Sequence, residues 1–368
     1  MSQCCVAVNR RNGIETVAID NNGERVLPSF VAYDEIHEKC GQVVVDRLRF
    51  HSESTVFDSK RIIGRNFEEI EIDTMWPFYL NSDKNKPFIK IRNYKKELVS
   101  KSAEQVAASL LKYIRKKTEE FQGKRLHRAV ITVPASFTNT QKNSTRSAAS
   151  LAGWDSVYLL SEPVAASFTY FVNQEAPNNT ILLLFDLGGG TLDVCLSKIK
   201  DNKIITISNS GNSQVGGRNF DNILIKYFIE KLKNDFDITV ADGKKYKLIL
   251  ECQKIKHSLS VQMQEALDVE DFDIAKEGFI KIDRQIFETL SQDLLTNIKD
   301  AIKNTLYYSG HKAHKINKVL LVGGSCRMPM IKKLLQDMFP NSEHCCDEHP
   351  EEVVAIGAAY FAYNYFFA

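Results

Sequence analysis

The stretch Phe185-Asp186-Leu187-Gly188-Gly189-Gly190-Thr191-Leu192-Asp193 constrains this chain more than any other. An apolar run from Thr180 to Phe185 enters three consecutive glycines, and a second run from Thr191 to Leu196 leaves them. Three glycines between two strands cost conformational entropy, so they need a reason. Without side chains the backbone turns tightly and aims successive N–H groups at one point, which makes an anion-binding concavity. Asp186 and Asp193 bracket it with carboxylates, and Thr191 adds a hydroxyl. Acids beside a phosphate cradle suit Mg2+, which keeps most of its waters and takes one or two acidic partners. The alternative, a glycine-rich hairpin with solvated acids, leaves the cost of the glycines unexplained. A P-loop is excluded, because no Gly-Lys-Ser/Thr follows and the glycines lead into a strand.

Leu321-Val322-Gly323-Gly324-Ser325-Cys326-Arg327-Met328-Pro329 repeats the device as strand, glycines, helix. Its glycines let a flat ligand lie against the backbone, and Arg327 can stack its guanidinium plane on an adenine ring. Such turns also serve close packing alone.

Around these motifs the pattern alternates strands and helices. Cys4–Val8, Asn12-Gly13 and Ile14–Ile19 read as a hairpin. A charge-rich stretch runs to about Leu98. Capping boxes at Ser102 with Gln105 and at Thr138 with Gln141 open two helices, the second ending near Gly153. Val106, Leu110, Tyr113 and Ile114 give the first of them one apolar face. Between the helices lies a strand, Arg128–Val133, that stops at Pro134. Ile204–Ile207 continues the strands of the second half, and helical, charged segments are expected over 219–286. Leu294, Leu295, Ile298, Ile302 and Leu306 make a helix stripe before Gly310. Lys318–Val322 is a strand, a helix follows through Phe339, and Pro350 to Tyr363 reads as a final helix. Hairpins followed by helices occur twice with no Pro/Gly/Ser-rich linker between, which predicts two packed α/β lobes facing across a cleft.

Composition narrows the class. The 368 residues are 43% hydrophobic, enough for a large core and too long for one typical domain. Forty-eight basic residues against 46 acidic give +2, so there is no electrostatic footprint for nucleic acid. No apolar run approaches the ~20 residues needed to span a bilayer. Met1–Cys5 has no secretory pattern. Eight cysteines without framework spacing read as reduced thiols of a cytoplasmic protein. His344, Cys345, Cys346 and His349 match no zinc spacing.

Several long motifs, in order, closely resemble the nucleotide-binding domain of the heat-shock-70 chaperone family. They are Thr55–Arg65, Ile131–Phe137, Ser161–Ala166, Asp186–Asp193, Val215–Asn222 and Val322–Pro329. The resemblance implies an α/β, actin-like ATPase fold: two lobes, each with a mixed five-stranded-type sheet flanked by helices, and a nucleotide cleft between. It implies lobe I core at 1–28 and 103–175, with its outer subdomain at 29–102. Lobe II core falls at 176–215 and 292–368, and its outer subdomain at 216–291. ATP or ADP with Mg2+ is the implied ligand. Glu162 and Asp186 align with acids that hold Mg2+ through water, and Thr191 and Asp193 with groups around the γ-phosphate. Gly188, Gly189, Gly190, Gly216, Gly217, Lys256, Ser260, Gly323, Gly324, Ser325, Arg327 and Glu351 fall on the nucleotide pocket.

The chain also departs from the family. Its match begins around Ser2 or Gln3, so the first phosphate loop, Asp-Leu-Gly-Thr-Thr, and part of the first lobe's N-terminal strand are expected to be missing. An ungapped count from Val56 puts Val45 where the family has a catalytic lysine, and turnover should suffer. Gln253 and His257 replace a Glu and an Arg of the adenine pocket, and Glu351 replaces an Asp. Tyr158, Ser161 and Val164 alter a surface used by J-domain partners and argue against stimulation by them. Nucleotide-exchange factors or other chaperone components remain as expected partners. Ala368 precedes any peptide-binding domain. The expected activity is nucleotide binding with weakened hydrolysis. The alternatives are a hydrolysis-dead nucleotide sensor and a truncated, non-functional product.

Overall fold

A computed structural model describes residues 3–367 apart from 21, 172–176, 202, 347 and 348; Met1, Ser2 and Ala368, named above, lie outside it. The hairpin read from Asn12-Gly13 forms, but later than its apolar run suggests. After β1 (Gln3–Cys5) the chain breaks at Val6, and β2 (Ala7–Arg10) turns into β3 (Gly13–Thr16) with Arg10 opposite Gly13. Meanwhile β1 pairs antiparallel with β4 (Val26–Pro28). Next, β5 (Val31–Ala32) is flanked by β6 (Lys39–Cys40) and β7 (Thr55–Val56), with α1 (Gln42–His51) between those two in the chain. The charge-rich stretch then conceals a meander of β8 (Tyr79–Asp83), β9 (Lys86–Arg92) and β10 (Leu98–Lys101). Its hidden signal is alternation: Ile89 and Ile91 are buried between more exposed neighbours.

Both capping boxes form. Ser102 Oγ accepts from the Gln105 amide at 3.3 Å, and Gln105 Oε1 accepts from the Ser102 amide at 2.9 Å, opening α2 (Ala103–Gln122). Thr138 and Gln141 do the same at 3.2 and 3.1 Å for α3 (Asn139–Leu151). Between these helices runs β11 (Arg128–Val133), paired in parallel with β12 (Ser156–Ser161), which leads directly into α4 (Glu162–Phe171).

The second half holds one five-stranded sheet. In chain order come β13 (Ile181–Leu187), β14 (Leu192–Lys200) and β15 (Lys203–Asn212), then α5 (Gly217–Phe236) and α6 (Asp242–Leu259). A hairpin of β16 (Gln264–Asp268) and β17 (Phe279–Asp283) follows, then α7 (Arg284–Leu290) and α8 (Gln292–Ser309). Helices dominate 219–286 as expected, and this hairpin is an addition to that reading. The chain closes with β18 (Lys318–Val322), α9 (Pro329–Met338), β19 (Glu343–Cys346) and α10 (Val353–Phe367). The sheet order is β15-β14-β13-β18-β19. All seven residues of β13 are buried, as a central strand covered on both faces requires. The α8 stripe read from sequence is buried in full, and Gly310 ends that helix in the left-handed region.

The first half corrects the expectation of a second five-stranded sheet. Among the described residues its strands join as β1–β4, β2–β3, β11–β12, the trio around β5 and the meander β8–β10. Val17 and Ile19 are fully buried, yet they leave the ladder. The Val17 amide bonds Val6 O at 2.8 Å, one step along the β2–β3 register, and the Ile19 amide bonds Glu24 O at 3.0 Å, so the hairpin's own continuation and a local turn satisfy these donors. One apolar cluster nevertheless runs through both halves, from Val17 past Phe57, Phe185 and Phe220 to Phe339. Among the described residues no helix is long and apolar enough to cross a membrane. The eight cysteines form no disulfides.

Candidate functional site

Strand register builds the site. Parallel pairing of β13 with β18 sets Asp186 beside Val322, so both strands run out at the same end and their glycine turns emerge together. Antiparallel pairing of β13 with β14 sets Asp186 opposite Asp193. Gly323 is required where it stands. Its φ is +84°, and a Cβ there would lie 2.5 Å from Leu187 O and 2.7 Å from Asp186 Oδ1.

The triple-glycine turn is closed by the Gly188 amide donating to Thr191 O at 3.1 Å. Its carbonyls are then taken up by neighbours. Gly188 O accepts from the Gly217 amide at 2.9 Å and from Ser325 Oγ at 3.0 Å. Gly189 O accepts from the Arg218 amide at 2.8 Å, and Gly190 O from Arg61 Nη2 at 3.2 Å. The Gly189 and Gly190 amides have no acceptor among the described residues. A Cβ on Gly216 would sit 2.6 Å from Gly190, so the second glycine pair backs directly onto the first. Gly188 to Gly190, Gly216, Gly217, Gly323 and Ser325 thus form one cradle with free amides.

Beside the cradle lie three buried carboxylates. Glu162 starts α4 at the end of β12, and Asp186 and Asp193 face each other across the β13–β14 turn. Burial, then Glu162 and Asp193, push the Asp186 carboxyl well above the usual carboxylate range. Burial and then Glu162 push Asp193 up to about 7. Lys60 opposes both shifts. Its Nζ lies 2.8 Å from Glu162 Oε1. Burial works against this ammonium, but Glu162, Asp193 and Asp186 outweigh it and hold its pKa above the lysine value.

Asp193 Oδ1 is buried without a hydrogen-bond partner, and three acids face one ammonium. Such a set accommodates a further cation. Among the described residues no three His, Cys, Asp or Glu close together as direct metal ligands, so hydrated Mg2+ fits better than a bare ion. Thr191 stands half-buried between the cradle and Asp193.

The remaining candidates flank the second glycine turn. Lys256 is buried, 2.7 Å from Asp221 Oδ1, and donates to Gly217 O at 3.1 Å. Burial raises the Asp221 carboxyl, but the surrounding positive charges, Lys256 foremost with Arg218 among them, together outweigh it and the net shift is downward. Ser260 Oγ donates to Lys256 O at 3.2 Å, and both residues line a small pocket with Arg284, Phe287 and Met328. Arg327 Nη2 reaches both carboxylate oxygens of Glu351, at 2.9 and 3.1 Å. A Cβ on Gly324 would meet nothing within 4 Å, so the backbone here borders open space. His257 is pushed down to about 4, first by burial and then by Lys256, and is neutral at pH 7. Adjacent His344, Cys345 and Cys346 lie in β19, where alternation sends neighbours to opposite faces.

Sequence reasoning missed Lys60, Arg61, Arg218 and Asp221. All four lie in the motifs quoted above, but pairing across more than 100 residues for Lys60, Arg61 and Arg218, and with Lys256 for Asp221, is not written in local spacing. Val45, where a lysine was sought, is buried in the core face of α1.

The sequence profile of the Hsp70 protein family matches residues 1–363. The chain belongs to the heat-shock-70 family. It is 32% identical over 360 residues to the heat shock 70 kDa protein 2 of Paracoccidioides lutzii, covering 96% of this chain and 55% of that one. The heat shock 70 kDa protein of Emericella nidulans gives the same figures. The heat shock cognate 70 kDa protein 3 of Dictyostelium discoideum is 31% identical over 364 residues, 96% of this chain and 58% of its own length. This heat-shock-70 chain therefore spans somewhat over half the length of the relatives it matches. Its fold is the family's actin-like ATPase fold, with the five-stranded sheet of the second half as its most complete element.

Proposed function

We propose that this heat-shock-70 family chain binds ATP or ADP with hydrated Mg2+ in a cleft between two lobes, and hydrolyses ATP weakly. In this reading the lobes take the bounds that the resemblance implies. The observation that carries this reading is the parallel β13–β18 pair, which delivers two glycine turns and Asp186 to one place. Phosphates would lie on the Gly188–Gly190 amides, and the nucleoside against Gly324, the Lys256–Ser260 pocket and the Arg327 face. When bound, Mg2+ supplies charge neutralisation for the phosphates. Glu162 and Asp186 would hold its waters, while Asp193, with a pKa near 7, is suited to accept a proton from an attacking water held near Thr191. Weak turnover is supported by Val45 lying in the core, where it offers no ammonium to the γ-phosphate.

Exchange factors or other chaperone components are the partners in keeping with this reading. Tyr158, stacked among Phe361 and Tyr365, presents an apolar cluster where J-domain recognition would need polar groups. Eight cysteines without a disulfide are in keeping with the cytoplasm.

Titration calorimetry with ADP and ATP in excess Mg2+ tests the binding. Saturable one-to-one heat is expected, and absence of heat from both nucleotides rejects the reading. Single-turnover hydrolysis tests the second half of it, since a rate matching an intact relative removes the claim of weakened chemistry.

A further inference from the structure

We propose that Lys60 is a built-in cation for the phosphate end of the cleft, contacting the terminal phosphate of bound nucleotide and sustaining binding when magnesium is scarce. The proposal rests on the nucleotide reading above. It begins from the 3-10 turn Ser59–Arg61, which approaches the cradle from the first half of the chain. Arg61 anchors that turn, donating to Gly190 O at 3.2 Å and to Asn219 Oδ1 at 3.1 Å. The turn is thereby pinned against the triple-glycine loop, and the adjacent side chain, Lys60, reaches Glu162 at the start of α4, within the same half of the chain. The ammonium stands between the loop that would hold phosphate and the acids that would hold a metal.

Charge gives this position its use. Glu162, Asp186 and Asp193 would together repel a polyphosphate, and a counter-charge must enter with it or be resident. Lys60 is the base whose charge acts on all three acids. The family position at Val45 offers none, because that side chain is packed in the core of α1.

The Lys60 side chain is 41% exposed despite its ion pair, so one flank is open to an incoming ligand. Glu162 is the buried end of the pair and Lys60 the open end, so the ammonium can turn toward a phosphate oxygen. Lysine suits the task, since a compact ammonium on a flexible stem can follow the ligand.

The experiment compares nucleotide affinity by calorimetry for the full chain and its Lys60→Met and Lys60→Arg variants, each in excess Mg2+ and in EDTA. The natural chain is expected to keep measurable ADP and ATP binding in EDTA. Lys60→Met should lose about tenfold or more in EDTA and about threefold or less with Mg2+, and Lys60→Arg should recover most of the loss. Melting of the ligand-free proteins reports whether the variants fold, and Lys60→Gln replaces Lys60→Met if that one does not. Binding by the natural chain only with Mg2+ would overturn the proposal. So would an unchanged Lys60→Met in EDTA, or a loss equal in both buffers, which would mark a structural role. If the natural chain binds neither nucleotide in either buffer, the nucleotide reading itself fails. If it binds and Lys60 is immaterial, only the assignment of Lys60 fails.

Discussion

The two halves of this molecule solve the same folding problem differently. In the second half a fully buried central strand, β13, has partners on both sides, and five strands share one continuous ladder. In the first half the strands join in twos and threes, and the buried segment through Val17 and Ile19 bonds only to Val6 of its own hairpin and to the turn at Glu24. Both halves contribute to one apolar core. The difference therefore lies in hydrogen-bond continuity, and hydrophobic burial is common to both. A shared ladder opens cooperatively, whereas a short pair can open alone. The candidate site reflects this. Its glycine turns hang from the continuous sheet, while Glu162 and Lys60 are brought to it by the piecemeal half.

Hydrogen exchange offers the widest test of that contrast. Amides of β13 and β18 should exchange about 100-fold or more slowly than those of β1 and β2. Equal protection would show that the short pairs open only with the whole molecule, and the comparison would collapse.

A smaller effect should follow Gly323→Ala, which loads the continuous half at its junction with the site. Both the positive φ and the 2.5 Å approach to Leu187 O oppose a methyl group. Denaturant unfolding should show a loss of about 2–4 kcal/mol. A loss under ~1 kcal/mol would mean that the turn relaxes easily and that the sheet does not fix it.

The smallest effect concerns Asp193, whose carboxyl titrates at about 7 in the folded chain and near 4 when unfolded. Between those values the folded state keeps a proton that the unfolded state has lost, so stability falls as pH rises from about 4 through 7. Asp193→Asn removes that loss. The ligand-free variant should melt above the natural chain by on the order of 2–5 °C at pH 8, with the gap nearly gone at pH 4. A gap that does not grow with pH would show that burial on the continuous sheet leaves this acid unstrained.

Much of the fold was legible in residues whose neighbours in sequence are also their neighbours in space. Both capping boxes, the α8 stripe and the strand Lys318–Val322 appear as read, since each is fixed within a few residues. The meander β8–β10 and the hairpin β16–β17 were not legible, because exposed charged positions along them obscure the period of two. The glycine half of the site was visible for a related reason: a glycine run inside apolar strands is costly and therefore informative. Lys60 was invisible as a site residue, since nothing around it in sequence indicates a carboxylate 102 positions away.

The sequence by itself determined the family, the nucleotide-type glycine turns and the acids beside them, because these depend on residue type and local spacing. Tertiary structure alone decided that β13 and β18 run side by side, that Asp193 is buried with an unpaired oxygen, and that Lys60 meets Glu162. The physical reason is range. Backbone conformation and capping act over a few residues, while burial, charge and strand pairing depend on which distant segments meet.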